Sequence, residues 1–162
     1  MKGVFNKIYS VNLSKKTAEL IQIADDIYHK YLGGRGLGVK IFTDKVNPKI
    51  DPLSADNAIV LTTGPITGTS VSTSGRMSLV TKSPLTGGIF YSNTGGNFGF
   101  NMKRCGIDGV LIVGKSEKPS YLLLDGDNKL EIKDATDLWG HDAEQTHEKL
   151  LELEGKKART LE

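Results

Sequence analysis

The sequence predicts an α+β domain: two packed β-sheets, mixed or antiparallel, with flanking helices. Three observations predict it. Strand-like runs outnumber helix-like runs. They occur in succession rather than alternating with helices, which argues against a strictly doubly wound βαβ fold. The pattern x-P-I/L-T-G occurs twice, at Gly64–Gly68 and Ser83–Gly87, each time after a strand-like run. Such an echo hints at an internal duplication.

In chain order, Phe5 to Leu13 and Ala18 to Ile23 read as strands joined by the polar turn Ser14-Lys15-Lys16-Thr17. Ala24-Asp25-Asp26 offers a helix start, with Ile27, Tyr28, Tyr31 and Leu32 as its apolar face. Gly33-Gly34 should end that helix, because glycine accepts the left-handed position after a last turn. A second helix is expected from about Leu37 to Val46, closed by Asn47-Pro48 and Asp51-Pro52. Ala58 to Thr63 is an apolar strand and Gly64 to Gly75 a loop. Arg76 to Thr81 and Gly88 to Ser92 are further strands. Gly95 to Gly106 reads as a helix capped by Asn93 or Thr94, with Phe98, Met102 and Cys105 on one face. Gly109 to Val113, Tyr121 to Leu124 and Leu130 to Ile132 are strands, the last two joined by the hairpin turn Asp125-Gly126-Asp127-Asn128. Asp142 to Glu154 is a polar helix.

At 162 residues the chain is long enough for one domain with a substantial core. Its net charge of +2 and the lack of any basic block with interleaved aromatics argue against nucleic acid. Its one cysteine, Cys105, precludes an intrachain disulfide framework. No apolar run approaches a membrane span, and Met1-Lys2-Gly3 opens into a strand rather than a leader, so the cytoplasm is the expected compartment. The closing EGKKARTLE has no capping element, and Leu161-Glu162 read as native residues or a vector-derived tail. A piece of a longer protein is expected.

The strongest signal of chemistry is a gap. Between Asp56 and Asp108, fifty-one consecutive residues contain no carboxylate, in a chain with nineteen acids. The same stretch keeps Arg76, Lys82, Lys103 and Arg104 and is rich in Gly, Ser, Thr and Asn. Carboxylates repel anions, while glycine lets backbone N–H groups approach a ligand and arginine forks onto phosphate. Buried strands with Gly/Ser turns are also poor in charge, so the gap alone does not decide. Within it, two segments converge on phosphate chemistry: Ser74-Gly75-Arg76, and Ser92-Asn93-Thr94-Gly95-Gly96 at an expected strand-to-helix junction, where the helix dipole would favour an anion. Arg76 would supply a bidentate contact, the glycines free N–H groups, and Asn93 a neutral oxygen suited to a hard cation such as Mg²⁺.

Other motifs carry less. Gly109 to Ser116 matches G-x-x-x-x-G-K-S/T, but its four variable positions are branched and apolar, a strand in themselves. The P-loop context of strand, loop and helix is missing. Gly33-Gly34-Arg35-Gly36-Leu37-Gly38 has the wrong glycine spacing for a dinucleotide fingerprint and reads as a helix–helix corner, with Arg35 within reach of an anion at the following helix N-terminus as the alternative. Asp125, Asp127 and Glu131 fit a hairpin rather than a calcium loop. His29, His141 and His147 lack metal-ligand spacing, and Cys105 fits core better than nucleophile.

Several longer segments, in order, resemble one family. They are Tyr31-Leu32-Gly33-Gly34-Arg35-Gly36-Leu37, Thr63 to Thr69, Gly75-Arg76, Thr81 to Gly87 and Ser92 to Gly99. Together they resemble the N-terminal domain of tungsten-containing aldehyde ferredoxin oxidoreductases, from about Phe5 to Trp139. The resemblance implies a base of two sheets that cradles tungstopterin, two pterin-dithiolene cofactors holding one tungsten. It implies that Arg76 binds the pterin, that Asn93 helps hold a Mg²⁺ bridging the cofactor phosphates, and that Gly95 lies against the cofactor. Gly75 and Thr94 flank these positions and complete the expected set.

The resemblance further implies a parent enzyme that oxidises aldehydes to carboxylic acids with ferredoxin as acceptor, and leaves open a homodimer. The family's 4Fe-4S ligands and catalytic residues lie in later domains, and the N-terminal domain itself runs past Glu162. Residues 1–162 are thus expected to be a truncated tungstopterin-binding domain, inactive alone, with no catalytic residue. Relatives acting on formaldehyde, glyceraldehyde-3-phosphate or aryl-CoA are alternatives that this region does not separate. A stand-alone anion- or nucleotide-binding module and a ligand-free assembly domain are the rivals from other classes.

Overall fold

A computed structural model describes residues 1–127 and 129–161. Strands β1 (Lys7–Asn12) and β2 (Thr17–Gln22) open the chain, followed by helices α1 (Asp25–Tyr31) and α2 (Gly34–Lys45). Then come β3 (Ala58–Thr63), β4 (Met77–Lys82), β5 (Ile89–Thr94) and helix α3 (Phe98–Arg104). Strand β6 (Gly109–Val113), the pair β7 (Ser120–Leu124) and β8 (Leu130–Asp134), and helix α4 (Ala143–Glu154) complete the fold.

The first six strands form one mixed sheet in the order β2-β1-β6-β3-β4-β5. Only the β1–β6 pair is parallel among its contacts. β7 and β8 form a separate antiparallel hairpin. The expected two-sheet α+β class is therefore observed.

Each face of the large sheet has its own core, as strand alternation requires. On one face Ile8, Val60, Val80 and Leu111 meet Tyr28 of α1 and Leu37, Ile41 and Phe42 of α2. On the other, Tyr9, Val11, Leu61, Met77 and Val110 meet Met102, Ile107 and Leu130, with Leu122, Leu124 and Ile132 of the hairpin packed alongside. Helix α2 lies close to the sheet because Gly38 faces it. A Cβ there would stand 2.8 Å from Val80 Cγ2 and 3.0 Å from Thr62 Oγ1.

Several boundaries differ from expectation. Helix α2 starts at Gly34, three residues before Leu37, so Gly34 to Gly36 form its first turn; α1 itself ends at Tyr31, just ahead of the expected Gly33-Gly34 stop. The left-handed residue after α1 is Leu32, at φ 63°, one position before the glycines. Asn93 and Thr94 do not cap α3: both belong to β5, whose ladder reaches Thr94 opposite Met77. α3 begins only at Phe98 after Asn97, and is seven residues long. Cross-strand pairing outcompetes the local capping preference of Asn and Thr. The expected cap at Asp142 is present, accepting from the Gln145 N–H. The turn at Asp125-Gly126-Asp127-Asn128 includes Asn128, outside the described residues; Asp125 Oδ1 accepts from the N–H groups of Asp127 and Lys129.

The echoed turns also share geometry. Each follows a strand, and Gly68 and Gly87 both take positive φ, +80° and +69°. Because β3 and β4 are antiparallel neighbours, the two turns sit at opposite ends of the sheet. The likeness is confined to the turns.

Candidate functional site

The loop from Gly64 to Arg76 and the turn from Gly95 to Asn97 approach each other beyond the paired ends of β4 and β5. Between them lies an open hollow of about 510 Å³, lined by Thr69, Ser74, Gly75, Arg76, Gly95 and Gly96 among others. Ser74-Gly75-Arg76 is thus brought to Gly95 and Gly96, whereas Asn93 and Thr94 of the second expected segment are not among the lining residues. The closest approach is at Gly75, where a Cβ would stand 2.2 Å from the Gly96 carbonyl oxygen. Only glycine permits this packing.

The long loop is anchored by a residue that the sequence did not single out. Thr67, 3% exposed, donates from Oγ1 to the Arg76 carbonyl at 3.2 Å and accepts from the Gly64 N–H at 3.2 Å. One side chain thereby ties the loop's two ends together, and with them the backbone that carries Arg76. Its only sequence signal was membership of the repeated P-I/L-T-G turn.

Of the cations in the acid-free stretch, two are structural. Lys82 is buried and donates to the carbonyls of Pro48 and Ile50, at 2.6 and 2.8 Å. Lys103 is buried and ion-paired with Asp108. Arg104 stacks over Phe100, 4.3 Å from the ring centroid. Arg76 is exposed on the rim of the hollow, with no hydrogen bond or ion pair from its guanidinium among the described residues. It is the cation there free to take an anion.

Asn93 lies on β5 directly opposite Ser78, and its Oδ1 accepts from Ser78 Oγ at 2.7 Å. An amide oxygen has two lone pairs, so one remains for a further partner. No three His, Cys, Asp or Glu side chains converge as a metal cage among the described residues. The donors at hand suit a hard cation held mostly by phosphate oxygens and water with a single protein oxygen, the habit of Mg²⁺. They do not suit a soft metal bound by the protein itself. Cys105 lines a different cavity, and burial pushes its thiol up, away from thiolate. Thr94 is half-buried opposite Met77, where it extends the ladder toward Gly95.

The other motifs take structural places. Gly109 to Val113 is strand β6, central in the sheet, and Gly114 turns out of it toward Ser14, whose Oγ accepts from the Lys115 N–H at 2.9 Å. That backbone cannot wrap a phosphate. Arg35 stacks on Tyr91 at 4.5 Å. His141 and His147 are exposed and contact Gln145 and Thr160. No helix among the described residues is long and apolar enough to cross a membrane.

Comparison with known proteins decides the lineage. The family model described as the aldehyde ferredoxin oxidoreductase N-terminal domain matches residues 8–162. The chain belongs to this family. Among its relatives, the tungsten-containing aldehyde ferredoxin oxidoreductase of Pyrococcus horikoshii is 41% identical over 157 residues, 97% of this chain and 26% of that protein. A protein named aliphatic sulfonate oxidoreductase, WOR-like subunit, of Pyrococcus furiosus is 34% identical, over 90% of this chain and 23% of its own. A solved structure titled active site complex BamBC of benzoyl coenzyme A reductase, in complex with 1,5-dienoyl-CoA, superposes with a TM-score of 0.92 at 31% identity. That match covers 96% of this chain and 24% of the other. The chain spans about a quarter of the length of the relatives it matches.

Proposed function

We propose that this chain is the cofactor-cradling N-terminal part of a tungsten-dependent oxidoreductase. In this reading the hollow receives the phosphate ends of two pterin-dithiolene cofactors, and later domains supply the iron–sulfur cluster and the substrate pocket. The observation that carries it is the pairing of an unpartnered Arg76 with the glycine-walled hollow, in a region cleared of carboxylates.

Each residue has a role. Arg76 forks onto a phosphate. Gly75 and Gly95-Gly96 let backbone approach it closely. Asn93 would offer an oxygen to a phosphate-bound Mg²⁺, and Thr94 holds the strand end. When bound, the tungsten centre supplies two-electron redox chemistry, here the oxidation of an aldehyde to a carboxylic acid with electrons passing to ferredoxin. These residues bind and orient; none takes part in proton or electron transfer. The same architecture occurs in a chain from a benzoyl-CoA reductase complex and, by sequence, in a protein named for glyceraldehyde-3-phosphate. This region therefore does not select the substrate, and a different substrate for the parent remains the second reading.

The test is metal and pterin content. In the full-length enzyme, Arg76→Ala should lower tungsten and pterin per polypeptide severalfold by elemental analysis and pterin fluorescence. Unchanged content would sink the assignment. In the chain itself, Mg²⁺ with pyrophosphate should move the amide resonances of Gly95 and Arg76. Selective nucleoside triphosphate binding around Lys115 would favour the nucleotide-module reading instead.

A further inference from the structure

A smaller hollow of about 290 Å³ adjoins the first, and Thr69 lines both. Its walls are the N-terminal segment Gly3-Val4-Phe5 and the turn that holds Pro65 and Gly68. Both walls are close-packed. A Cβ on Gly3 would stand 2.5 Å from the Pro65 carbonyl oxygen, and one on Gly68 would stand 3.0 Å from Lys103 Cγ. Both glycines take positive φ, +82° and +80°, so the hollow is built on backbone that suits glycine.

No Asp or Glu lines this hollow among the described residues, but Lys103 and Arg104 do. Lys103 is neutralised by Asp108. Arg104 is exposed, and its guanidinium makes no hydrogen bond or ion pair among the described residues. Its side chain leans back along α3, as helical side chains do, and lies over the Phe100 ring, 4.3 Å from the centroid. Phe100 lines the larger hollow, so the guanidinium stands where the two cavities meet. Stacking occupies the face of a guanidinium and leaves its in-plane N–H donors free. An arginine held flat in this way, beside cavities without a carboxylate, is an uncompensated charge that favours an anion. We propose that Arg104 makes the smaller hollow a second anion site, one that takes a phosphate monoester. The phosphate meets the Arg104 fork, and the uncharged body of the ester lies against Val4, Phe5 and Pro65. The site stands apart from the phosphate reading of Arg76, because it has its own arginine and its own walls.

The test is an NMR titration of the chain with phenyl phosphate, set beside inorganic phosphate and beside sodium chloride at matched ionic strength. Phenyl phosphate should move the amide resonances of Val4, Phe5 and Gly68 saturably, with a lower Kd than inorganic phosphate, and chloride should leave them in place. Arg104→Gln should weaken that response about tenfold or more, the loss of a charge-assisted contact, and should spare any response at Gly95. Arg104→Lys, which keeps the charge without the planar fork, should recover only part of it. Because Arg104 is exposed, its substitution should leave the urea midpoint in place, so a lost response reports binding rather than unfolding. Amides of Val4 and Gly68 that stay still, that follow chloride equally, or that respond alike in Arg104→Gln would overturn the proposal. A response at Gly68 with none at Gly95 would uphold it and count against the phosphate reading of the larger hollow instead.

Discussion

Two glycines of the hollow separate steric from functional need. At Gly75 a Cβ would meet the Gly96 carbonyl at 2.2 Å, so the two segments must part. At Gly95 an added Cβ meets nothing within 4 Å. Gly75→Ala should therefore cost about 1–3 kcal/mol of stability, the range for forced overpacking, and weaken phosphate binding. Gly95→Ala should leave the urea midpoint unchanged and, on the proposed reading of the hollow, weaken binding only, because the Cβ would enter open space. Equal effects of both variants on stability would contradict this division. A third residue-scale expectation concerns Asp108, fully buried, which is held by Lys103, by Tyr28 Oη at 2.7 Å and by the Phe5 N–H at 2.9 Å. Burial, and then Asp108, push the Tyr28 phenol well above its ordinary range, so it serves as a permanent donor. Lys103→Met would strand a buried carboxylate and should cost about 3–5 kcal/mol in denaturant titration. A loss under 1 kcal/mol, the usual worth of an exposed pair, would show the site to be wet.

Among the elements, α4 is held most lightly. It has no buried residue, and its polar contacts with the preceding elements run from Lys149 to the Asp137 carbonyl and through Glu154. The Glu154 carboxylate accepts from Lys133 Nζ at 2.8 Å and from Tyr121 Oη at 2.5 Å. Hydrogen bonds from Lys133 first and Tyr121 second hold Glu154 below its ordinary value of 4.5. Its contribution is thus present above that value and lost as pH falls through the lower folded one. Tyr121 is pushed up to about 12, by burial first and Glu154 next. Its contribution is present below the ordinary value of 10 and lost as pH rises through about 12. The contact should weaken at both extremes and hold between them. Amide protection factors across α4, which take out the intrinsic pH dependence of exchange, should fall on both limbs, and Glu154→Gln should remove the acid limb. Protection that stays flat from acid to neutral pH would rule this out. This anchor was not legible in the sequence, because it joins residues far apart in the chain. The strands were legible, since β3 and β6 alternate or run apolar in the expected manner. The α3 cap was misread for the same reason the anchor was missed: Asn93 and Thr94 are good caps locally, but Ser78 and Met77 claim them across the ladder.

For the whole molecule, the acid-free stretch resolves into one region: β3, β4, β5, α3 and their loops, with Asp108 at its close neutralising Lys103. The proposed phosphate contacts Arg76 and Gly95 could be picked out there because phosphate chemistry restricts residue types, and the structure sets both on one hollow. Thr67, which ties the loop that carries Arg76, could not, because hydroxyls are common and only partners across the fold single one out. The region also forms the sheet's open edge. β5 carries no charge and no proline, and Ile89, Phe90 and Tyr91 are each 44–49% exposed. Edge strands of free-standing domains are usually guarded by lysine, proline or a bulge. An unguarded apolar edge drives association unless something covers it. Alone in solution, the chain should therefore self-associate with rising concentration, as read by sedimentation velocity. Phe90→Lys should shift it to monomer with little change in stability. Phe90 stands opposite Thr81, on the face away from α2, and is not among the residues lining the hollow, so any binding of Mg²⁺ with pyrophosphate should survive the substitution. A chain that stays monomeric at every concentration tested would mean that the edge is soluble as it stands.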